Sequence, residues 1–228
     1  MAVWKNDGEL FDMMKEVLYT AVVGDIMDEM GYIHQFLPPD IRPLDPAFVL
    51  AGRAMPVLEA DVTKELKGHN PVLSGKFGLM LEALDSLKEH DVYICSGSSR
   101  SYALVGEIMA ARAHQLKSAG AVVNGYIRDT NGILKLDYPV FSCGSYAQDQ
   151  APRGKVIDYN VPVLFGDVTV SPGDIIFGDI DGVVVIPKEI ESKVTERAYQ
   201  KAVGEKLVLK EIMAGKTAAE TFEEYGIM

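Results

Sequence analysis

The sequence predicts an α/β fold over residues 1–228 as a single domain, and three observations carry that prediction. Segments with apolar residues at helical spacing alternate with short apolar runs bounded by glycine or proline. The stretch 166–187 strings β-rich runs between Pro-Gly and Asp-Gly turns, the pattern of a meander or small barrel. At 228 residues, with 48% hydrophobic and 24% charged side chains, the chain is long enough for one substantial core and ordinary for a soluble globular protein.

The elements follow in order. Glu9 to Leu18 is predicted as a helix because Leu10, Met13, Met14 and Val17 recur on one face. A second short helix runs from Thr20 to Met30 and stops at Gly31, so the N-terminal helices occupy about 9–31. A proline-rich connection (Pro38, Pro39, Pro43, Pro46) leads to a strand over Phe48–Leu58. Gly75–Lys88 is predicted as an amphipathic helix and Asp91–Cys95 as a strand. The polar segment Ser96–Tyr102 is a connector that would also suit substrate access. Glu107–Lys117 is Ala-rich and proline-free, a good helix closed by Lys117 and Gly120. The chain then returns as a strand through Ile127, and Tyr138–Phe141 is a further short strand. Pro187 opens a long helix with Ile190, Val194, Ala198, Ala202 and Leu207 as its seam, and a final helix spans about Thr217–Tyr225. Together these form a C-terminal helical extension over about 187–226.

Composition excludes several classes of function. A net charge of −11 argues against nonspecific nucleic-acid binding, and means that an anionic substrate needs a local positive site. Cys95 and Cys143 are too few for a disulfide scaffold and read as reduced thiols of a cytoplasmic protein. The polar N-terminus has no signal-peptide core, and no apolar run approaches the ~20 residues of a membrane span.

The most informative stretch is Ala121-Val122-Val123-Asn124-Gly125-Tyr126-Ile127-Arg128-Asp129. A guanidinium donates two parallel hydrogen bonds to a carboxylate, and the adjacent Asp129 suits a hard divalent cation. Upstream, Gly106-Glu107-Ile108-Met109 opens the Ala-rich helix, whose unpaired N–H groups and dipole make an anion site. A helix of about 12 residues and a return strand of six or seven are matched in length, at roughly 18 and 20 Å. Gly106–Met109 and Arg128–Asp129 are therefore expected in one pocket.

Other polar residues read as structural. Asp174, Asp179 and Asp181 sit beside glycines in turns, where Asp is favoured for its own backbone bonds. Arg53 reads as an ion-pair residue. Lys117, Lys135 and Lys155 read as exposed, which disfavours Schiff-base chemistry. His34, His69, His90 and His114 show no ligand spacing, so solvated or capping roles are expected.

These residues carry a resemblance. Gly24-Asp25-Ile26-Met27-Asp28, Gly52-Arg53-Ala54, Gly106–Met109, Gly125–Asp129, Pro139-Val140-Phe141 and the run from Pro172-Gly173-Asp174 to Val185-Ile186-Pro187 resemble, in order, the motifs of the RraA-like family. That family includes class II aldolases acting on 4-hydroxy-4-methyl-2-oxoglutarate and 4-carboxy-4-hydroxy-2-oxoadipate. The resemblance implies a three-layer β/β/α swivelling fold, assembled as a trimer or hexamer. It implies that amides of Gly106, Glu107, Ile108 and Met109 bind the carboxylate of a small 2-oxo acid. Arg128 would hold the 2-oxo oxygen, Asp129 would ligate Mg²⁺ or Mn²⁺, and Glu107 would hold the water that moves a proton. Glu107 stands where relatives often carry Asp, Gly132 where many have an acidic residue, and Asn124 where Asp is frequent. Glu205 falls where some aldolases send an acidic side chain into a neighbouring subunit's site, and an exposed, solvated charge explains it equally well. The family also includes regulators that inhibit a ribonuclease by protein contact, the alternative reading of this chain.

Overall fold

The computed structural model describes residues 4–62 and 70–227. The first helix, α1 (Asp7–Val17), is capped by Asn6, whose side chain accepts from the Glu9 N–H. In α2 (Thr20–Glu29) the cap comes from afar. Asp179 accepts from the Thr20 N–H at 2.7 Å and from its hydroxyl at 2.8 Å. Next come β1 (Arg42–Pro43), β2 (Leu50–Asp61), α3 (Pro71–Ser74), α4 (Met80–Asp85), β3 (Asp91–Ser96), β4 (Ala103–Val105) and α5 (Glu107–Gln115). They are followed by β5 (Gly120–Val123), β6 (Tyr126–Ile127), α6 (Thr130–Lys135), β7 (Val140–Ser142) and β8 (Gly154–Tyr159). A hairpin of β9 (Val163–Phe165) and β10 (Val168–Val170) precedes β11 (Ile175–Asp179) and β12 (Gly182–Ile186). A 3₁₀ turn at Lys188–Ile190 leads into α7 (Glu191–Met213), and α8 (Ala218–Tyr225) closes the chain with a Thr217–Glu220 capping box.

Eight strands form one mixed sheet in the order β1-β7-β5-β3-β2-β11-β12, with β8 on the second half of β2. β2, β3, β5 and β7 run parallel, and the segments between them carry α4, α5 and α6. Arg42 donates to the Ile180 and Asp181 carbonyls, drawing the β1 edge toward the β11–β12 turn and nearly closing the sheet. Alternation along the strands divides the core. Tyr93, Cys95, Ala121 and Val123 face α4, α5 and α6, whereas Val92, Ile94 and Val122 face the β9–β10 hairpin. On the antiparallel side Ile175, Phe177, Val184 and Ile186 pack under α1, α2 and α7. Hairpin, sheet and helices are the three layers expected.

The structure corrects several element boundaries. The helix expected over Gly75–Lys88 is helical only at Met80–Asp85. Gly78 has φ +61° and bridges to Val156, and a Cβ there would lie 2.1 Å from the Val156 carbonyl oxygen. The approach of this segment to β8 overrides its helical periodicity. The strand expected to run unbroken through Ile127 is two strands in different sheets, interrupted at Asn124-Gly125. The α7 seam shifts as well: Val208 is buried and Leu207 is half-exposed.

Asp174 and Asp179 follow the turn reading. Asp174 accepts from the N–H groups of Ser171 and Lys188, and Asp179 from those of Thr20 and Asp181. Arg53 is the ion-pair residue expected, bonded to Asp7, Glu191 and the Gly173 carbonyl. Lys155 contradicts the sequence reading. It lies in β8, is 6% exposed, and its Nζ donates to the Gly75 carbonyl. His34 and His114 are exposed, as expected, and the His114 ring meets Tyr138 edge-on at 6.2 Å between centroids; His90 is half-buried against the Phe11 ring at 5.7 Å. His69 lies outside the described residues. Cys95 and Cys143 are free thiols, and no helix among the described residues is long and apolar enough to cross a membrane.

Candidate active site

Parallel strands β3 and β5 end at Ser96 and Val123, and the chain beyond both ends builds the site, the usual place for a ligand on an open α/β sheet. There β4 and β6 pair in parallel, Ala103 with Tyr126 and Val105 with Ile127, and the Arg128 N–H donates to the Val105 carbonyl at 3.0 Å. Because β4 leads directly into α5 and β6 leads into Arg128, this small ladder brings the start of the helix to the Arg-Asp pair. Segment 144–148 closes the far side: Ile127 N–H donates to the Gly144 carbonyl, and Ala103 N–H to that of Gln148.

Gly106 caps α5 in extended conformation, with no side-chain cap on the helix. A Cβ at Gly106 would lie 2.7 Å from Asp129 Oδ2 and 3.3 Å from Arg128 Cγ, so a side chain there would displace the Asp129 carboxylate. Asp129 adopts a left-handed conformation (φ 58°, ψ 35°) at the start of α6, one that Asp tolerates better than most residues. Its Oδ2 accepts from the Glu107 N–H at 3.4 Å and lies 3.7 Å from Arg128 Nε. Arg128 Nη1 pairs with Asp149 Oδ1 at 2.9 Å, which orients the guanidinium across the site.

These groups border a cleft of about 310 Å³. Gly106, Met109, Arg128, Asp129, Asp149 and Gln150 line it, against an apolar wall that includes Phe77, Met80, Leu84 and Leu104. Ile108 and Leu81, 85% and 54% exposed, stand at its rim. Of the residues named from the sequence, Gly106, Ile108, Met109, Arg128 and Asp129 therefore lie together.

Glu107 and Gly132 prove to be neighbours. A Cβ at Gly132 would lie 2.1 Å from Glu107 Cδ and 2.2 Å from its Oε2. The Glu107 carboxylate thus occupies the space that a side chain at 132 would take. Asn124 stands apart: it accepts from Arg100 and donates to Ser96, so its amide bears on the 97–102 connector rather than on Asp129. Glu205 lies on α7 in a separate groove with Tyr19, Leu209 and Ile212, and partial burial raises its carboxyl above the usual range.

Sequence reasoning missed Asp149, Gln150 and the wall from Phe77 to Leu84. Asp149 and Gln150 lie in an aperiodic polar loop that gives no signal. It also missed Glu59, which is 1% exposed behind Gln150. A lone acid inside the apolar run of β2 was the available sign.

Among the described residues, no three His, Cys, Asp or Glu side chains group as a protein-only metal cage. The carboxylates at the open cleft are half-exposed Asp129 and Asp149, the latter paired with Arg128. That fits Mg²⁺ or Mn²⁺, since Mg²⁺ typically takes one or two carboxylates and completes its shell with water and ligand oxygens.

A model of the RraA-like family, described as Aldolase/RraA, matches residues 20–185. The chain belongs to the RraA-like family. Among RraA-like relatives, a protein of Dechloromonas aromatica provisionally named 4-hydroxy-4-methyl-2-oxoglutarate aldolase is 31% identical over 73% of this chain and 96% of its own length. A protein of Halalkalibacterium halodurans with the same provisional name is 35% identical over 57% of this chain and 62% of its own. The DlpA protein of Legionella pneumophila is 27% identical over 90% of this chain, which spans 32% of that longer protein. Among solved structures, one described as a novel cellulase from gut-associated microbes aligns with a TM-score of 0.80 at 34% identity, over 90% of both chains. RraAS2 of Streptomyces coelicolor, described as an unusual member of the RNase ES inhibitor RraA family, aligns at 0.75 and 23% identity over 90% of this chain and 98% of its own, a likeness of fold alone.

Proposed function

We propose that this RraA-like protein is a divalent-metal-dependent lyase. It would cleave a 4-hydroxy-2-oxo di- or tricarboxylic acid to pyruvate and a second oxo acid, and would decarboxylate oxaloacetate as a side reaction. The observation that carries the reading is the convergence of the α5 amide end, Arg128 and Asp129 on one cleft. The provisional aldolase names of the relatives support the same class of reaction.

In this reading the first-turn amides of α5 bind the substrate carboxylate. Asp129 holds Mg²⁺ or Mn²⁺, which supplies a Lewis acid to the 2-oxo oxygen when bound. Arg128 donates to the same oxygen, where negative charge develops as the C3–C4 bond breaks. Glu107, through a water, takes the 4-hydroxyl proton as C4 becomes a carbonyl, and the electron pair passes to C3. The proton returns to C3, giving pyruvate. With oxaloacetate the same bond breaks and CO₂ leaves. The apolar rim residues Ile108 and Leu81 and the exposed Val203, Leu207, Leu209 and Met213 of α7 offer apolar surface for self-association, and in this reading the chain is a trimer or hexamer whose copies meet at the cleft. Glu205 is then the candidate contribution from a second copy.

The test is pyruvate release from oxaloacetate and from 4-hydroxy-4-methyl-2-oxoglutarate, with Mg²⁺ and with chelator. Metal-dependent release is expected; none with either substrate, together with tight association to a ribonuclease, would replace this reading by the regulatory one.

Gly132→Ala probes the role of Glu107. The nearest atoms to the new methyl all belong to the flexible Glu107 side chain, and the change removes a glycine from α6, so stability should hold or rise by up to about 1 kcal/mol. The carboxylate must move, and kcat is expected to fall by about tenfold or more. Unaltered kcat in a well-folded variant would remove Glu107 from the chemistry.

A further inference from the structure

Glu59 sits at a register shift in β2, 1% exposed. Gln150 Nε2 donates to both of its oxygens, at 2.8 and 2.9 Å. Among the described residues, the groups around it bring no positive charge. Tyr102 lies beside it and gives its hydroxyl to Asp61 at 2.9 Å. Tyr93 and Cys95 of β3 are themselves buried and neutral, and Lys155 of β8 directs its ammonium to the Gly75 carbonyl. A carboxyl removed from water with no cation beside it favours its protonated form. Burial pushes Glu59 up to about 8.

Gln150, 6% exposed, lies between this carboxyl and the cleft, which it lines beside Arg128 and Asp149. Its Oε1 accepts no hydrogen bond among the described residues. Oε1 is not among the sealed, unpartnered side-chain atoms of the described residues, of which Ser98 Oγ is one, and Gln150 itself borders the cleft. An amide turned by half a revolution exchanges its donor and acceptor ends with almost no change of shape.

We propose that Gln150 is a ligand contact whose polarity is set by the proton on Glu59. With Glu59 protonated, its O–H donates to Gln150 Oε1 and the amide NH₂ faces the cleft. With Glu59 ionised, the amide takes the orientation seen here, and a carbonyl oxygen faces the cleft instead. The inference rests on the oxo-acid reading, because it requires an anionic ligand: the NH₂ end attracts an anion and the carbonyl end repels it. Glu59 is thereby a positioning residue, and affinity for the anion falls as it ionises.

The probe is oxalate, a compact dianion, titrated by calorimetry with Mg²⁺ present from about pH 6 to pH 9.5, beside the KM and kcat for oxaloacetate. In the wild type the oxalate Kd and the KM should rise about tenfold across this range without a matching fall in kcat, the worth of one charge-assisted hydrogen bond. Glu59→Gln leaves an amide that donates permanently to Oε1, so it should hold the tight, low-pH affinity throughout. Gln150→Leu should bind weakly throughout. Carboxyl ¹³C resonances should show a glutamate titrating near neutral to basic pH that Glu59→Gln lacks. A pH-independent oxalate affinity in the wild type, a Glu59→Gln profile that follows the wild type, or Glu59 titrating in the ordinary carboxylate range would each overturn the proposal while leaving the lyase reading intact. Failure of oxalate to bind at any pH would overturn both.

Discussion

Arg128→Ala is expected to lower kcat/KM for oxaloacetate by about 10²–10³, the usual loss when a preorganised donor to a developing oxyanion is removed. The guanidinium is held ready by Asp149 on one side and by the β4–β6 ladder behind it, so it needs no rearrangement to meet the substrate oxygen. Stability should hardly change. Arg128 is 38% exposed and its two carboxylate partners are half-exposed, and such pairs contribute at most about 1 kcal/mol. Arg128→Lys should recover only part of the loss, because an ammonium restores charge without the planar fork. Matched steady-state kinetics and thermal melts check both halves. An Arg128→Ala enzyme of wild-type kcat/KM would take the guanidinium out of the reaction.

Arg53→Ala should do the reverse, costing stability far from the chemistry. Arg53 clamps α1 through Asp7, at 2.6 and 2.8 Å, and the start of α7 through Glu191, while its main chain lies in β2. Its side chain is 19% exposed and stacks 5.6 Å from the centre of the Phe11 ring. Removing it leaves the Asp7 and Glu191 carboxylates without the guanidinium that both of them bond. Breaking a buried pair costs about 3–5 kcal/mol, and partial exposure of Asp7 reduces that to about 2–4 kcal/mol here. For a chain of this size the melting point should drop by roughly 4–15 °C. The hydrogen bond from Arg53 holds the Asp7 carboxyl below its usual range. A depressed carboxylate contributes stability above its unfolded pKa and loses it as pH falls through the folded value. The gap between wild type and variant should therefore be full at neutral pH and shrink below about pH 4. Equal melting points at pH 7 would show that the clamp is idle.

What was legible in the sequence followed local rules. The helices α1, α2 and α7 announce themselves through apolar spacing and terminal signals, and each lies within a few residues of its expected bounds. The meeting of Gly106 with Arg128 and Asp129 was legible because a helix and its return strand are matched in length. The reason the structure gives is different: β5 stops at Val123, and the separate β4–β6 ladder makes the contact. Long-range placement was what local rules could not supply. The pairing of residues 77–79 with β8 unwinds a helix-like segment, and β8 itself buries Lys155. Asp149 and Gln150 enter the site because the Gly144–Gln148 segment pairs along β4 and β6, a register written in no nearby residue. The two departures from the family pattern at 107 and 132 looked independent in the sequence and prove to share one volume of space.

The central claim is that one cleft joins an amide-lined helix start, a guanidinium and a cation-holding carboxylate into a lyase site. Asp129→Ala tests it most directly, with pyruvate release and Mn²⁺ binding measured on a variant whose fold and oligomeric state are verified. The account predicts that metal-dependent turnover disappears and that Mn²⁺ affinity falls, with folding intact. Full turnover by Asp129→Ala in chelator-treated buffer would contradict it.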